Sequence, residues 1–303
     1  MKPTAAAIDI GSNAIRMIIG HPTELGLEIL GKYRMPVRLG KDVFLSGTIS
    51  PHTTASAIDC FNRFKAVTER DQINKIRVVA TSALREALNQ KEFCAQVAKE
   101  TGLQIEVITG IEEARLIYMA ISKEIDLLSG RNLLIDIGGG SVELTITSHG
   151  QVQAAQSFPM GTVRMLNMLQ TRNLKENHIN VIIGEFIPAI SDFFETHLGA
   201  ITPEISIGTG GNFEAIAALK PKLLRAPSSQ YLTLKNLVDI TQIVSSLSLQ
   251  ERQKHLGMKP DRADVIIPAL YLIKAILRQA GCEKLHVPGV GLRDGILWSM
   301  FES

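Results

Sequence analysis

With 303 residues, 45% of them hydrophobic, the chain can bury two ordinary cores, which predicts two domains. Its 32 basic and 30 acidic residues nearly cancel, which argues against a nucleic-acid polymer or a membrane as partner, since binders of those surfaces carry a clear basic excess. The three cysteines, Cys60, Cys94 and Cys282, lie too far apart for a disulfide framework or a zinc knuckle and fit a reducing, cytoplasmic setting.

No signal peptide is expected, because only Lys2 precedes a short apolar stretch that Asp9 interrupts. That stretch is the first predicted strand. A small-residue turn follows Asp9, a second strand returns over 16–19, and a third runs over 27–33. Residues 51–70 have helical spacing, with Ala55, Ile58, Phe61, Phe64 and Val67 on one face. A continuous apolar strand is expected over 75–80, a helix over 93–100 and a strand over 106–109. The second half predicts a strand ending in Asp136, further strands over 143–147 and 152–158, a helix over 181–198 and a strand over 205–208. Residues 220–229, rich in Pro, Ser and charge, read as a surface loop. Residues 265–277 contain Pro268 and Lys274, are too short to span a membrane, and read as a core helix. A strand over 285–288 and a terminal helix over 293–301 complete the chain. Strands alternating with helices imply mixed sheets covered by helices, an α/β class. Two such units, 1–120 and 121–303, are expected to face each other across a cleft, joined and hinged near 118–131, with the terminal helix free to pack back on the first.

The halves are copies. AIDIGSNAIRMII, beginning at Ala7, matches LIDIGGGSVELTI, beginning at Leu134. Val37-Arg38-Leu39 recurs as Val163-Arg164-Met165, and the segment that opens at Thr81 (TSALREA) recurs as TGGNFEA at Thr209. Three matches in one order at nearly one spacing reveal a duplication. In both copies a buried strand ends in Asp and runs into a small-residue turn, Gly11-Ser12-Asn13 or Gly138-Gly139-Gly140-Ser141. Such turns supply backbone N–H groups to anionic oxygens, and Gly and Asn there would permit unusual backbone angles. Two copies suggest two loops gripping one phosphate chain.

Asp9 and Asp136 would be costly if buried and unpaired, and a hard cation such as Mg²⁺ would relieve that cost. Glu143, on the returning strand, could aim at the same point as Asp136, or be an exposed strand residue. The first copy has Arg16 in its place. Thr109 and Glu112 have capping-box spacing, so Glu112 is expected to be occupied with a helix terminus. Glu113 has no such task. Spacing leaves it either a base that deprotonates water or a solvated first-turn acid. Arg85, read as lying in the first turn of a helix where a cation is unfavourable, would reach a phosphate, or else pair with Glu86 or another surface acid. Gly208-Thr209-Gly210-Gly211 supplies another glycine turn, for a distal phosphate or a nucleotide. The 292–295 segment reads as the end of the last strand and the start of the last helix. The histidines lack metal-ligand spacing. Lys220, Lys222, Arg225, Lys254, Lys259 and Arg262 could line a polyanion channel, but read rather as solvated faces.

DIGSN from Asp9, VRLG from Val37, ATSALREA from Ala80, TGIEEARLI from Thr109, DIGGGSVEL from Asp136, RADVIIPAL from Arg262 and GLRDGIL from Gly291 together resemble the exopolyphosphatase / guanosine pentaphosphate phosphohydrolase family, within the actin, heat-shock ATPase and sugar-kinase superfamily. The resemblance implies two ribonuclease-H-like (actin-like) domains with the active site between them. It makes Glu113 the residue that activates water. Asp136 and Glu143 would hold Mg²⁺ or Mn²⁺, and the burial argument adds Asp9 to that set. Gly11, Ser12, Asn13, Gly138, Gly139, Gly140 and Ser141 would cradle phosphates, and Arg85 would bind phosphate charge. Ala14 departs from the Ser or Thr usual in the family. Long members continue into a helical HD-type region past the point where this chain stops, which shifts the expectation toward shorter polyphosphates. Polyphosphate or guanosine pentaphosphate is the implied substrate, and a homodimer is compatible with the resemblance. A phosphotransferase or ATPase would need an adenosine pocket near 208–211, and the EEAR segment argues against it. A non-catalytic sensor of alarmones or polyphosphate ranks last, because Glu113, Asp136 and Glu143 are all present.

Overall fold

A computed structural model describes residues 3–227 and 230–302. The chain divides into two compact units, one made of residues 1–124 and 290–303, the other of residues 125–289. The terminal helix thus belongs to the first unit, and the second ends at Gly289 rather than at Ser303.

In the first unit β1 (Ala5–Ile10), β2 (Ile15–Thr23) and β3 (Gly26–Met35) form an antiparallel meander. Helices α1 (Leu39–Ser46) and α2 (Pro51–Arg70) follow, the second starting with Ser50, whose side chain accepts the Thr53 N–H, and with Pro51 at its first position. Next come β4 (Lys75–Ala80), the one-turn α3 (Ser82–Glu86), α4 (Gln90–Thr101), β5 (Ile105–Val107) and α5 (Gly110–Ser122). Strands β4 and β5 run parallel to β1, giving the order β3-β2-β1-β4-β5.

The second unit repeats the plan. An antiparallel meander of β6 (Arg131–Ile137), β7 (Val142–Ser148) and β8 (Gln151–Phe158) is followed by α6 (Thr162–Thr171), α7 (Ile179–Gly184) and α8 (Ile187–His197). After these come β9 (Ile205–Thr209), α9 (Gly211–Leu224), β10 (Tyr231–Thr233), α10 (Leu234–Ser245), α11 (Leu249–Leu256), α12 (Pro260–Ala263), α13 (Ile266–Gln279) and β11 (Lys284–His286). The sheet order is β10-β11-β9-β6-β7-β8, with β9 parallel to β6. Both sheets share the ribonuclease-H-like core of a meander flanked by parallel strands. Helix α14 (Leu292–Ser299) closes the chain against α5 and β1.

Alternation along β1 explains the layers. Ala6, Ile8 and Ile10 enter the core beneath α2 and α4, while Ala5 and Ala7 enter a smaller cluster with Leu116, Ile296 and Leu297. Four expectations need correction. The helix foreseen over 181–198 is two helices, because Pro188 lies in the first turn of α8 and cannot continue an incoming helix. The strand over 106–109 stops at Val107, where Ile108 N–H still reaches Ala80 O but Thr109 turns to cap α5. The loop foreseen over 220–229 begins as helix: α9 runs through Pro221 to Leu224, since Leu223 and Leu224 pack on the core. Ser228 and Ser229 of that loop lie outside the described residues. Tyr118 and the residues to Ser122 are helical, so only 123–130 forms the connection.

Candidate active site

In each unit the glycine turn closes on the same hydrogen bond. Gly11 N–H donates to Ala14 O at 3.1 Å, and Gly138 N–H to Ser141 O at 3.0 Å. None of the residues in these two turns has a positive φ, which corrects the expectation of unusual backbone angles. Smallness matters instead through what packs on the loops. Gly40 N–H donates to Ser12 O at 2.8 Å, and a Cβ on Gly40 would stand 2.7 Å from Ser12 Cβ. A Cβ on Gly161 would fall 2.3 Å from the backbone of Gly139 and Gly140. Gly161 N–H donates to Gly140 O, Val163 N–H to Gly139 O, and Arg164 Nε to Gly140 O. The second repeated motif therefore buttresses the first, in both units. Arg38, immediately before α1, adopts left-handed backbone with φ 59°.

In the first unit the loops after the parallel strands converge. Ser12 Oγ and Ser82 Oγ lie 3.0 Å apart, both buried. Arg85 occupies the last turn of α3, not a first turn, so the helix-dipole argument for its reaching an anion fails. Its Nη1 donates to Ile108 O at 2.8 Å and to Glu113 Oε2 at 3.4 Å. Its acidic partner is thus Glu113. Glu113, in the first turn of α5, is 5% exposed, so it is not a solvated first-turn acid. Only half of the expected capping box forms: Thr109 Oγ1 accepts Glu112 N–H, while the Glu112 carboxylate turns to Arg115 at 2.7 Å.

The registers reveal a row of four side chains across each sheet. In the second unit Asp136 pairs with Thr209 on β9 and with Glu143 on β7, and Glu143 pairs with Ser157 on β8. Directly paired residues project from one face, so Thr209, Asp136, Glu143 and Ser157 stand side by side. Thr209 Oγ1 donates to Asp136 Oδ1, and Ser157 Oγ donates to Glu143 Oε1 at 2.8 Å. Asp136 is 9% exposed and Glu143 2%. The same row in the first unit reads Val79, Asp9, Arg16, Arg34. Arg16 Nη1 lies 3.9 Å from Asp9 Oδ2. Burial pushes the Asp9 carboxyl up, while Arg16 and Arg293 pull it down. The positive charge that the sequence argument sought for Asp9 is thus already present.

Asp136 and Glu143 stand directly opposite each other, and like charges so placed are destabilising. Two carboxylates flanked by hydroxyls form a hard oxygen donor set of the kind that binds Mg²⁺ together with water and phosphate oxygens. Among the described residues no group of three or more His, Cys, Asp or Glu side chains is arranged around a metal position. The 208–211 turn serves this row. Gly210 has φ 92°, and a Cβ there would lie 3.1 Å from Asp136 Oδ1. Asn212 Nδ2 donates to Ile137 O, and Arg262 Nη1 reaches Asn212 Oδ1 at 3.3 Å. Arg262 is therefore not merely part of a solvated face.

Sequence reasoning missed Ser157, Gly161 and Arg34, and read Arg293 only as part of a strand-to-helix junction. Repetition alone could have flagged the buttressing segment, since Val163-Arg164 matches Val37-Arg38.

The model of the Ppx/GppA phosphatase family matches residues 18–303. The chain belongs to that family. Exopolyphosphatase 1 of Mycobacterium leprae is 24% identical, over 98% of this chain and 89% of that protein. The guanosine-5′-triphosphate,3′-diphosphate pyrophosphatase of Aliivibrio fischeri is 28% identical, over the whole of this chain and 60% of that protein. The crystal structure of the Aquifex aeolicus Ppx/GppA family member superposes with a TM-score of 0.78 at 25% identity, covering 98% of this chain and 97% of that one. Family membership makes the chain a hydrolase of the phosphatase class.

Proposed function

We propose that this chain is an exopolyphosphatase that removes terminal phosphate from inorganic polyphosphate with Mg²⁺ or Mn²⁺ as cofactor. The observation that carries the reading is the pair Asp136 and Glu143, side by side at the foot of the second glycine turn. These two carboxylates would hold the metal, which supplies charge neutralisation for the phosphate oxygens when bound. Asp9, already facing Arg16, stays outside that set and supports the first loop. Glu113 takes a proton from the attacking water. The water oxygen bonds to the terminal phosphorus, the bridging P–O bond breaks, and orthophosphate leaves a chain one unit shorter. Arg85 fixes the Glu113 carboxylate and offers its remaining N–H groups to phosphate. Backbone N–H groups of Gly11, Ser12 and Asn13 and of Gly138 to Ser141 would bind the phosphates, and the turn of Gly208, Gly210 and Gly211 packs against Asp136.

Likeness to the Aliivibrio fischeri enzyme over the full chain favours a second reading, removal of the terminal phosphate of guanosine pentaphosphate. Phosphate release from short polyphosphate, long polyphosphate and guanosine pentaphosphate, with Mg²⁺, separates the two. Glu113→Gln should lower release by about a hundredfold or more. A Glu113→Gln enzyme within a few-fold of wild type would remove Glu113 from the chemistry, and tight substrate binding without any release would make the chain a sensor.

A further inference from the structure

We infer that Ser157 and Thr209 are positioning residues for the divalent cation, an inference that rests on Asp136 and Glu143 holding it. The row Thr209, Asp136, Glu143, Ser157 places one hydroxyl outside each carboxylate. Ser157 Oγ donates to Glu143 Oε1 at 2.8 Å, and Thr209 Oγ1 to Asp136 Oδ1. A carboxylate without such a donor turns about its last torsion, and two adjacent anions would turn apart. The outer hydroxyls hold one oxygen of each, so that both carboxylates present a fixed spacing to a single ion. A second observation supports a role beyond folding. By strand register the duplicated unit keeps the strands, the turn and the Asp but places Val79 and Arg34 at the two outer positions, with Thr81, the sequence match of Thr209, two residues beyond the row. The sheet therefore forms without hydroxyls there, and they occur in the unit whose row has two carboxylates. Ser157 is on the edge strand β8 and half-buried, where losing a hydroxyl leaves no large cavity.

The test is Mn²⁺ binding to the full chain without substrate, followed by electron paramagnetic resonance, with thermal melting of the metal-free protein as a folding control. Ser157→Ala and Thr209→Val should each weaken Mn²⁺ binding about 10- to 100-fold with little change in melting temperature. Ser157→Thr, which keeps a donor, should restore most of the affinity. In turnover, the Mn²⁺ concentration for half-maximal release should rise in step while release at saturating Mn²⁺ falls much less. Glu143→Gln separates the two claims. If it weakens Mn²⁺ binding and the hydroxyl variants stay within about twofold of wild type, the carboxylates hold the ion and the positioning role is wrong. If Glu143→Gln also binds normally, the metal reading itself falls. Weakened binding in Ser157→Ala that tracks a lower melting temperature and is not restored by Ser157→Thr makes the residue structural and overturns the inference.

Discussion

Asp294 sits buried in the first turn of α14, its Oδ2 accepting the Gly291 N–H at 2.9 Å. Burial raises its carboxyl above the ordinary 3.8, against the opposing pull of Arg293, the Gly291 hydrogen bond and Lys32. A raised acid binds its proton more tightly in the folded chain. Its contribution to stability is fully present below about pH 3.8 and is lost as pH rises through the folded value. Asp294→Asn keeps an acceptor for Gly291 but does not titrate. Its stability relative to wild type should therefore climb as pH rises above about 3.8, read from urea midpoints at each pH. A difference that is flat with pH would show that Asp294 titrates alike in both states. Asp9 behaves in the same sense in both proteins and cancels. At this scale the sequence named the carboxylates but not their surroundings. Arg293 touches the electrostatics of Asp9 from the far end of the chain, and no local pattern announces that.

Between elements, the sharpest contact is α14 on α5. A Cβ on Gly295 would stand 1.9 Å from Leu116 O, a backbone atom one turn beyond Glu113. Gly295→Ala must push the helices apart, which should cost about 1–3 kcal/mol. Hydrogen exchange should quicken in α5 and α14 while α13 keeps its protection. Equal loss in α13 would mean that the damage is not local. Most elements were legible because their periodicities are strong: α2 and β4 start and stop where the apolar spacing does. The row containing Ser157 was not. Counting outward from the His149-Gly150 turn, Thr147 pairs with Val152, and unbroken counting would set Glu143 opposite Gln156. A bulge between Ile146 and Thr147 adds one residue and brings Ser157 there instead. Because side chains alternate faces, that single residue decides which one meets the carboxylate. The first unit has its own bulge, between Ile19 and Gly20, and without it Arg16 would face Tyr33 rather than Arg34.

At the scale of the molecule, the first unit is discontinuous and the second is not. Residues 125–289 carry a core of their own, from Leu133 to Val287. They should fold as a separate fragment with a cooperative thermal transition. Residues 1–124 lack Ile296, Leu297 and Met300, which complete the cluster on Ala5, Ala7 and Leu116. Burying Ile296 and Leu297 contributes about 1.5–3 kcal/mol each. That is a large share of the roughly 5–15 kcal/mol that holds a typical protein folded. The 1–124 fragment should melt without cooperativity, and fusing 290–303 to it through a flexible linker should restore a transition. A sharp transition in 1–124 alone would show that α14 is dispensable. The two-core expectation came from length and the duplication. The last helix was expected to be free to return, but the residues that hold it, Ile296 and Leu297 beside Leu116, depend on contacts that composition does not encode.

That return has a consequence during synthesis. Translation at roughly 5–20 residues per second leaves the first half waiting on the order of ten seconds or more while the intervening unit is made. Through that interval the surface around Ala5 and Leu116 stays uncovered, and α5, which carries Glu113, lacks its neighbour. A nascent or prematurely terminated polypeptide therefore presents sticky apolar surface to chaperones and proteases. Only when residues 292–299 have been made can α14 cover that surface.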